Sequence, residues 1–169
     1  MTDDLLRDLA DRLAHRFYGK YRGLVSDVDA STMRIKATVP AVLGESASGW
    51  CQPCVPYAGP KTGFFFLPEV GSGVWIEFEG GDVSYPIWSG CFWHAGDVPA
   101  EAGEKIRGIV TAAGHQLLLD DDADEVTLAD SNGGSVVLNS DGVKASRASM
   151  SVAVTDSKVS VNDGALEVT

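Results

Sequence analysis

The chain has 169 residues, 44% of them hydrophobic, with 13 basic and 24 acidic side chains and a net charge of -11. That composition fits one or two small folded units and excludes a disordered chain; it also makes a phosphate backbone a poor partner unless the basic residues cluster, which they do not. No apolar run is long enough to span a bilayer, and the acidic start MTDDLLRDLADRL lacks the basic-then-apolar order of a signal peptide, so synthesis in a cytoplasm is expected.

Residues 1–18 predict a short amphipathic helix. Leu5, Leu9, Leu13 and Phe17, joined by Leu6, recur every four residues among Asp and Arg. Such a stripe packs either on its own domain or on a hub or sister subunit. From residue 19 to 95 the period shortens to two. Met33, Ile35, Ala37 and Val39 alternate with Arg34, Lys36 and Thr38, and Val74, Ile76 and Phe78 alternate with Trp75, Glu77 and Glu79. Strands are expected over about 20–28, 33–39, 50–57, 73–79 and 86–93, with an apolar run at 64–67 and turns at 29–32 and 80–82. Five or six short antiparallel strands in so few residues predict a small barrel of the OB type. Trp75, on the face opposite Val74 and Ile76, is either a second-core residue or an aromatic anchor at a subunit contact.

Within this region WCQPC, residues 50–54, resembles a redox Cys-x-x-Cys. A reactive thiol of that kind sits at a helix N-terminus, and the following VPYAGPKTG cannot start a helix because proline and glycine interrupt it repeatedly. A zinc site requires four ligands. The set Cys51, Cys54, Cys91 and His94 is the one candidate, and small buried thiols are the plainer reading.

Residues 96–105 read as a linker, rich in small residues, Pro and Glu. Beyond it, over 106–169, short strands follow one another as IRGIVT, HQLLLD, EVTLAD, SVVLN and GVKAS, and then as a seven-residue repeat. The apolar pairs of that repeat are Val152 with Val154, Val159 with Val161, and Leu166 with Val168. Spacing of two, β-branched filling and Gly or Asp at each end belong to β-structure and exclude a coiled coil. One apolar pair per unit cannot close a core in a single chain, so several chains must share one along these six residues.

Asp120-Asp121-Asp122-Ala123-Asp124-Glu125 opens like a calcium loop but has Glu125 where such a loop needs glycine and Ser131 where it needs glutamate, so a solvated hairpin is expected. His15, His94 and His115 are scattered, and no nucleophile-base pairing emerges. No enzyme activity, cofactor or metal is expected.

The stretch from Trp50 to Cys91 resembles the OB domain of the baseplate assembly protein V and VgrG-like spike proteins of contractile phage tails and injection systems. The likeness lies in a Trp-led strand, a Pro-x-Ala-Gly loop, an aromatic run into Leu-Pro-x-Val-Gly, an acidic Gly-Asp turn and Pro-Ile-x-x-Gly. TAAGHQLLLDDDADEVTLADSNGGSVVLNSDGV is similar to the start of the family's β-helical spike. The resemblance implies an all-β chain: a short N-terminal helix, an OB barrel held by Trp50, Pro68, Gly71, Phe78, Gly81, Asp82, Pro86 and Gly90, and an intertwined trimeric β-helix. It further implies a homotrimer docked on a baseplate hub protein, a PAAR-like tip protein at the C-terminal end, transient contact with a target membrane, no nucleic acid, and assembly into a virion or injection-system particle. No lysozyme-like insertion is present in the sequence, so wall-degrading activity is not implied. An OB module binding oligosaccharide or single-stranded nucleic acid is the alternative reading.

Overall fold

The computed structural model describes residues 4–7, 10 and 16–169. The chain divides into two compact units, Met1–Asp97 and Val98–Thr169.

In the first unit, β1 (Tyr21–Asp29), β2 (Arg34–Thr38), β3 (Gln52–Pro53), β6 (Gly73–Phe78) and β7 (Pro86–Phe92) form one sheet in the order β2-β1-β6-β7-β3. Every ladder is antiparallel except that of β3 on β7. The sheet closes on itself where the Cys51 N–H donates to the Ile35 carbonyl at 2.8 Å, joining β2 to the residue before β3. Closure leaves a five-stranded barrel whose edges are almost all paired. Its interior holds Val25, Ile35, Ala37, Val39, Cys51, Val74, Ile76, Phe78 and Trp88, all buried. Alternation places them there: in β2 Ile35 and Ala37 are buried while Arg34 is exposed, and in β6 Val74, Ile76 and Phe78 point inward. Bulges at Val25/Asp27 and Val74/Ile76 supply the local bend that a small barrel requires.

The expected strand over 50–57 is much shorter. Ladder pairing covers only Gln52 and Pro53, Trp50 lies outside it, and Pro53 and Pro56 deny the backbone donors that a longer ladder would need. The chain instead turns out into a separate hairpin, β4 (Ala58–Gly59) paired with β5 (Thr62–Gly63). Residues 64–67 form no strand, and Phe64, Phe65 and Phe66 are exposed.

The second unit is a single eight-stranded antiparallel meander: β8 (Ile106–Val110), β9 (Gln116–Asp120), β10 (Glu125–Ala129), β11 (Gly134–Asn139), β12 (Gly142–Arg147), β13 (Met150–Val154), β14 (Val159–Val161) and β15 (Leu166–Val168). Each strand pairs with its neighbours in sequence. Short Asp-, Asn- and Gly-rich turns permit this order. Asp120 accepts the N–H groups of Asp122 and Ala123 at 2.9 and 3.1 Å, and Asp130 accepts those of Asn132 and Gly134 at 2.8 Å each.

Candidate functional site

Directly opposed residues of an antiparallel ladder share a face. Followed across β8 to β15, the register gives two rows on one side of the meander. The first is Arg107, Leu119, Val126, Leu138, Val143, Val154, Val159 and Val168; the second is Ile109, Leu117, Leu128, Val136, Ala145, Val152, Val161 and Leu166. Apart from Arg107 at the edge, every member is apolar. The other side is mixed: it carries Thr127, Ser135, Lys144, Ser146, Ser151 and Ser160 together with Leu118, Val137 and Ala153, and Ser135 and Ser146 are hydrogen-bonded at 2.9 Å.

Within residues 98–169, nothing covers the apolar side. Leu128 is 56% exposed, Val154 48% and Leu166 60%, and none of the buried hydrophobic residues of the chain lies in 98–169. A sheet with one solvated apolar face and no core of its own is not independently stable in water. Each side chain of that size moved into an apolar contact contributes roughly 1.5–3 kcal/mol, so a second layer must come from other chains.

The six residues expected to share a core, Val152, Val154, Val159, Val161, Leu166 and Val168, all fall on this face. The surface is more than twice as wide as the seven-residue repeat suggests, extending back to Ile109. The signal for the rest is in the sequence as plain alternation, Leu117 with Leu119, Val126 with Leu128, and Val136 with Leu138. Because each hairpin reverses direction, equivalent repeat positions fall in alternate rows: Val152 opposes Val161, not Val159.

In the barrel, Phe78 is a core residue and Pro68 and Pro86 are buried. Gly71, Gly81 and Gly90 all hold positive φ, at 91°, 77° and 141°. The Gly81 carbonyl accepts the Phe17 N–H at 2.9 Å, and Asp82 pairs with Arg16 at 3.2 Å. Trp50 is on the surface, 41% exposed, with the Lys36 ammonium 4.8 Å above its ring. Trp75 is half-buried on the outer face, its ring tilted against that of Phe92 with centroids 5.1 Å apart, and the Arg22 guanidinium lies against both rings. Leu5 and Leu6 are exposed, whereas Phe17 packs edge-on against Tyr21 and Phe78, each at 6.3 Å. Leu9 and Leu13 lie outside the described residues, as does His15.

The thiols differ from the expectation of buried cysteines. Cys51 alone is buried; Cys54 and Cys91 are exposed. Desolvation pushes the Cys51 thiol up, against a smaller opposing effect of the Ser48 hydroxyl 3.2 Å away, and desolvation also raises Cys91 despite its exposed residue surface. Both shifts oppose the thiolate that redox chemistry requires. No group of three or more His, Cys, Asp or Glu side chains able to hold a metal occurs among the described residues, so Cys51, Cys54, Cys91 and His94 are not brought together as ligands. The Asp120–Glu125 segment is the β9–β10 turn.

A closed OB barrel followed by a coreless meander with a continuous, exposed apolar face defines a protein that completes its fold by joining copies of itself. Two family comparisons give the same description. Residues 21–93 match the type VI secretion system/phage-baseplate injector OB domain, and residues 108–167 match the phage baseplate V C-terminal trimerisation domain. The chain belongs to this family of phage baseplate V and VgrG-like spike proteins, structural components of the baseplate that associate as trimers. No curated protein matches the chain.

Proposed function

We propose that the chain is the central spike of a contractile tail or contractile injection system, a trimeric needle that docks on the baseplate hub and punctures the target cell envelope. The supporting observation is the continuous apolar face of β9 to β15 in a segment matching a trimerisation domain. Three such faces directed at one axis would be dry inside and hydrogen-bonded along every strand, giving the stiffness that transmitting a contraction demands. The barrel, with its own core, is the part able to fold before assembly and present an exterior to the hub. The work is mechanical, with no catalytic step. The chain is made in the cytoplasm, and a PAAR-like protein caps the C-terminal end.

Co-expression with a baseplate hub protein of the same family tests the reading. A stable complex containing three copies of this chain is expected. Particles assembled with Leu128→Asp should contract yet fail to breach target cells. A monomeric chain, or particles that remain fully active with that substitution, would overturn it.

A further inference from the structure

Beside the barrel, a cavity of about 540 Å³ opens between the β1–β2 turn, the residues after β3 and the β4–β5 hairpin. Its walls include Met33, Val55, Tyr57, Phe64 and Phe65. Two polar groups stand out. Trp88 lines the cavity and is only 5% exposed, yet its Nε1–H has no acceptor among the described residues. That donor lies inside the barrel, so what Trp88 offers the cavity is the apolar part of its ring. Lys61 lines the same cavity, forms no ion pair among the described residues, and is the only charged side chain there. In a chain with net charge -11, a cavity whose described lining has one lysine and no carboxylate is a local reversal of sign.

The backbone around it is equally incomplete. Strands β4 and β5 pair only with each other, so each presents an outer edge. Such edges accept an added strand, whose backbone supplies affinity while alternate side chains enter pockets.

We infer that this cavity is a docking site for an extended peptide segment of a partner protein, one that adds alongside the β4–β5 hairpin. The segment places a branched or aromatic side chain against Val55, Phe64 and Trp88 and a carboxylate beside Lys61. Charge complementarity selects an acidic occupant, and apolar walls select a side chain to fill them. A nucleic-acid strand would need several cations along its phosphates, and the cavity has one. An oligosaccharide would need carboxylate or amide groups for its hydroxyls, and among the described residues no Asp, Glu, Asn or Gln lines it. The inference does not depend on the spike reading, because the site lies wholly within the barrel unit.

The test uses the full chain, immobilised, panned with a random dodecapeptide display library, and the enriched peptide is then synthesised with a fluorescent label. Enriched sequences should carry Asp or Glu within two residues of an aromatic or branched apolar residue. Binding should weaken by about tenfold or more with Lys61→Glu, which is at the surface, and with Val55→Trp, which fills the cavity. The indole N–H resonance of Trp88 should shift on binding. Light scattering on the same samples reports the oligomer independently. Failure to enrich, enrichment of basic peptides, binding unchanged by Lys61→Glu in a chain of unaltered melting temperature, or preferential binding of oligothymidylate or chitohexaose would each overturn the assignment. Competition for the peptide by a second copy of this chain would overturn the choice of a foreign partner.

Discussion

Gly142, at the start of β12, holds φ at 130°, and a Cβ there would stand 2.1 Å from the Val154 carbonyl oxygen. Neither the dihedral nor the contact can relax without moving β13. Gly142→Ala is therefore expected to destabilise the meander by about 2–4 kcal/mol, read as a fall in melting temperature. Gly133, at φ 81° with open space around it, provides the control, where alanine costs about 1 kcal/mol for the left-handed backbone alone. Cys51 is held as tightly by its surroundings. Its N–H closes the barrel and its side chain sits in the core beside Ser48, whereas Cys54 and Cys91 reach the surface. Thiol labelling of the native protein should modify Cys54 and Cys91 and spare Cys51 until the barrel unfolds. Rapid native labelling of Cys51, or disulfide reductase activity, would contradict this placement.

The turns show how acidic residues hold the elements in register. Hydrogen bonds from Ser31 and Thr32 lower Asp29, those from Ser84 together with Arg16 lower Asp82, and the N–H groups of Gly134 and Asn132 together with Arg147 lower Asp130. Each folded-state pKa lies below that of the unfolded chain, so the stabilisation is complete above the unfolded value near 3.9 and is lost as pH falls through the folded one. The melting temperature should be flat from neutrality down to about pH 5 and should drop below about pH 4. Asp130→Ala should lower stability at neutral pH and make the acid-induced drop shallower; an unchanged acid limb would show that this turn does not couple to folding. Along the strands, the two faces respond differently to charge. Val159→Asp places an unpaired carboxylate on the shared apolar side, where it costs several kcal/mol per chain, while Ser157→Asp in the β13–β14 turn stays in water and should be nearly neutral. Melting of the two variants, followed with sedimentation, distinguishes them: equal tolerance would mean that the apolar side remains wet.

At the level of the molecule, a meander without a core couples folding to association. The unfolding temperature of residues 98–169 should rise with protein concentration, since anything that binds only the folded form stabilises it by mass action. The barrel, with nine buried hydrophobic core residues among those described, should melt at a temperature independent of concentration. Calorimetry over a dilution series would show two transitions, of which only one moves. A single concentration-independent transition would rule out separate completion of the two units. Trimming the chain to begin at Arg16 should leave the barrel transition in place, because Arg16 and Phe17 already make its contacts with Asp82, Gly81, Tyr21 and Phe78.

The sequence already encodes the strand periods, the turn positions and the insufficiency of the tail. Alternation at Ile35–Val39 and Val74–Phe78, and the Val-x-Val repeat, are local facts that backbone geometry translates directly into faces. It left undecided what depends on residues far apart in the chain. That Ile35 meets Cys51 and closes the barrel, and that β3 lies parallel to β7, are matters of long-range register that no local pattern encodes. The strand expected over 50–57 stopped early because its ladder partner on β7 meets only Gln52 and Pro53, and the chain then leaves for the β4–β5 hairpin. The rows from Ile109 to Leu166 became one surface only when seven hairpin registers were known together, since a one-residue slip at any of them would turn the following strands over and break the apolar face.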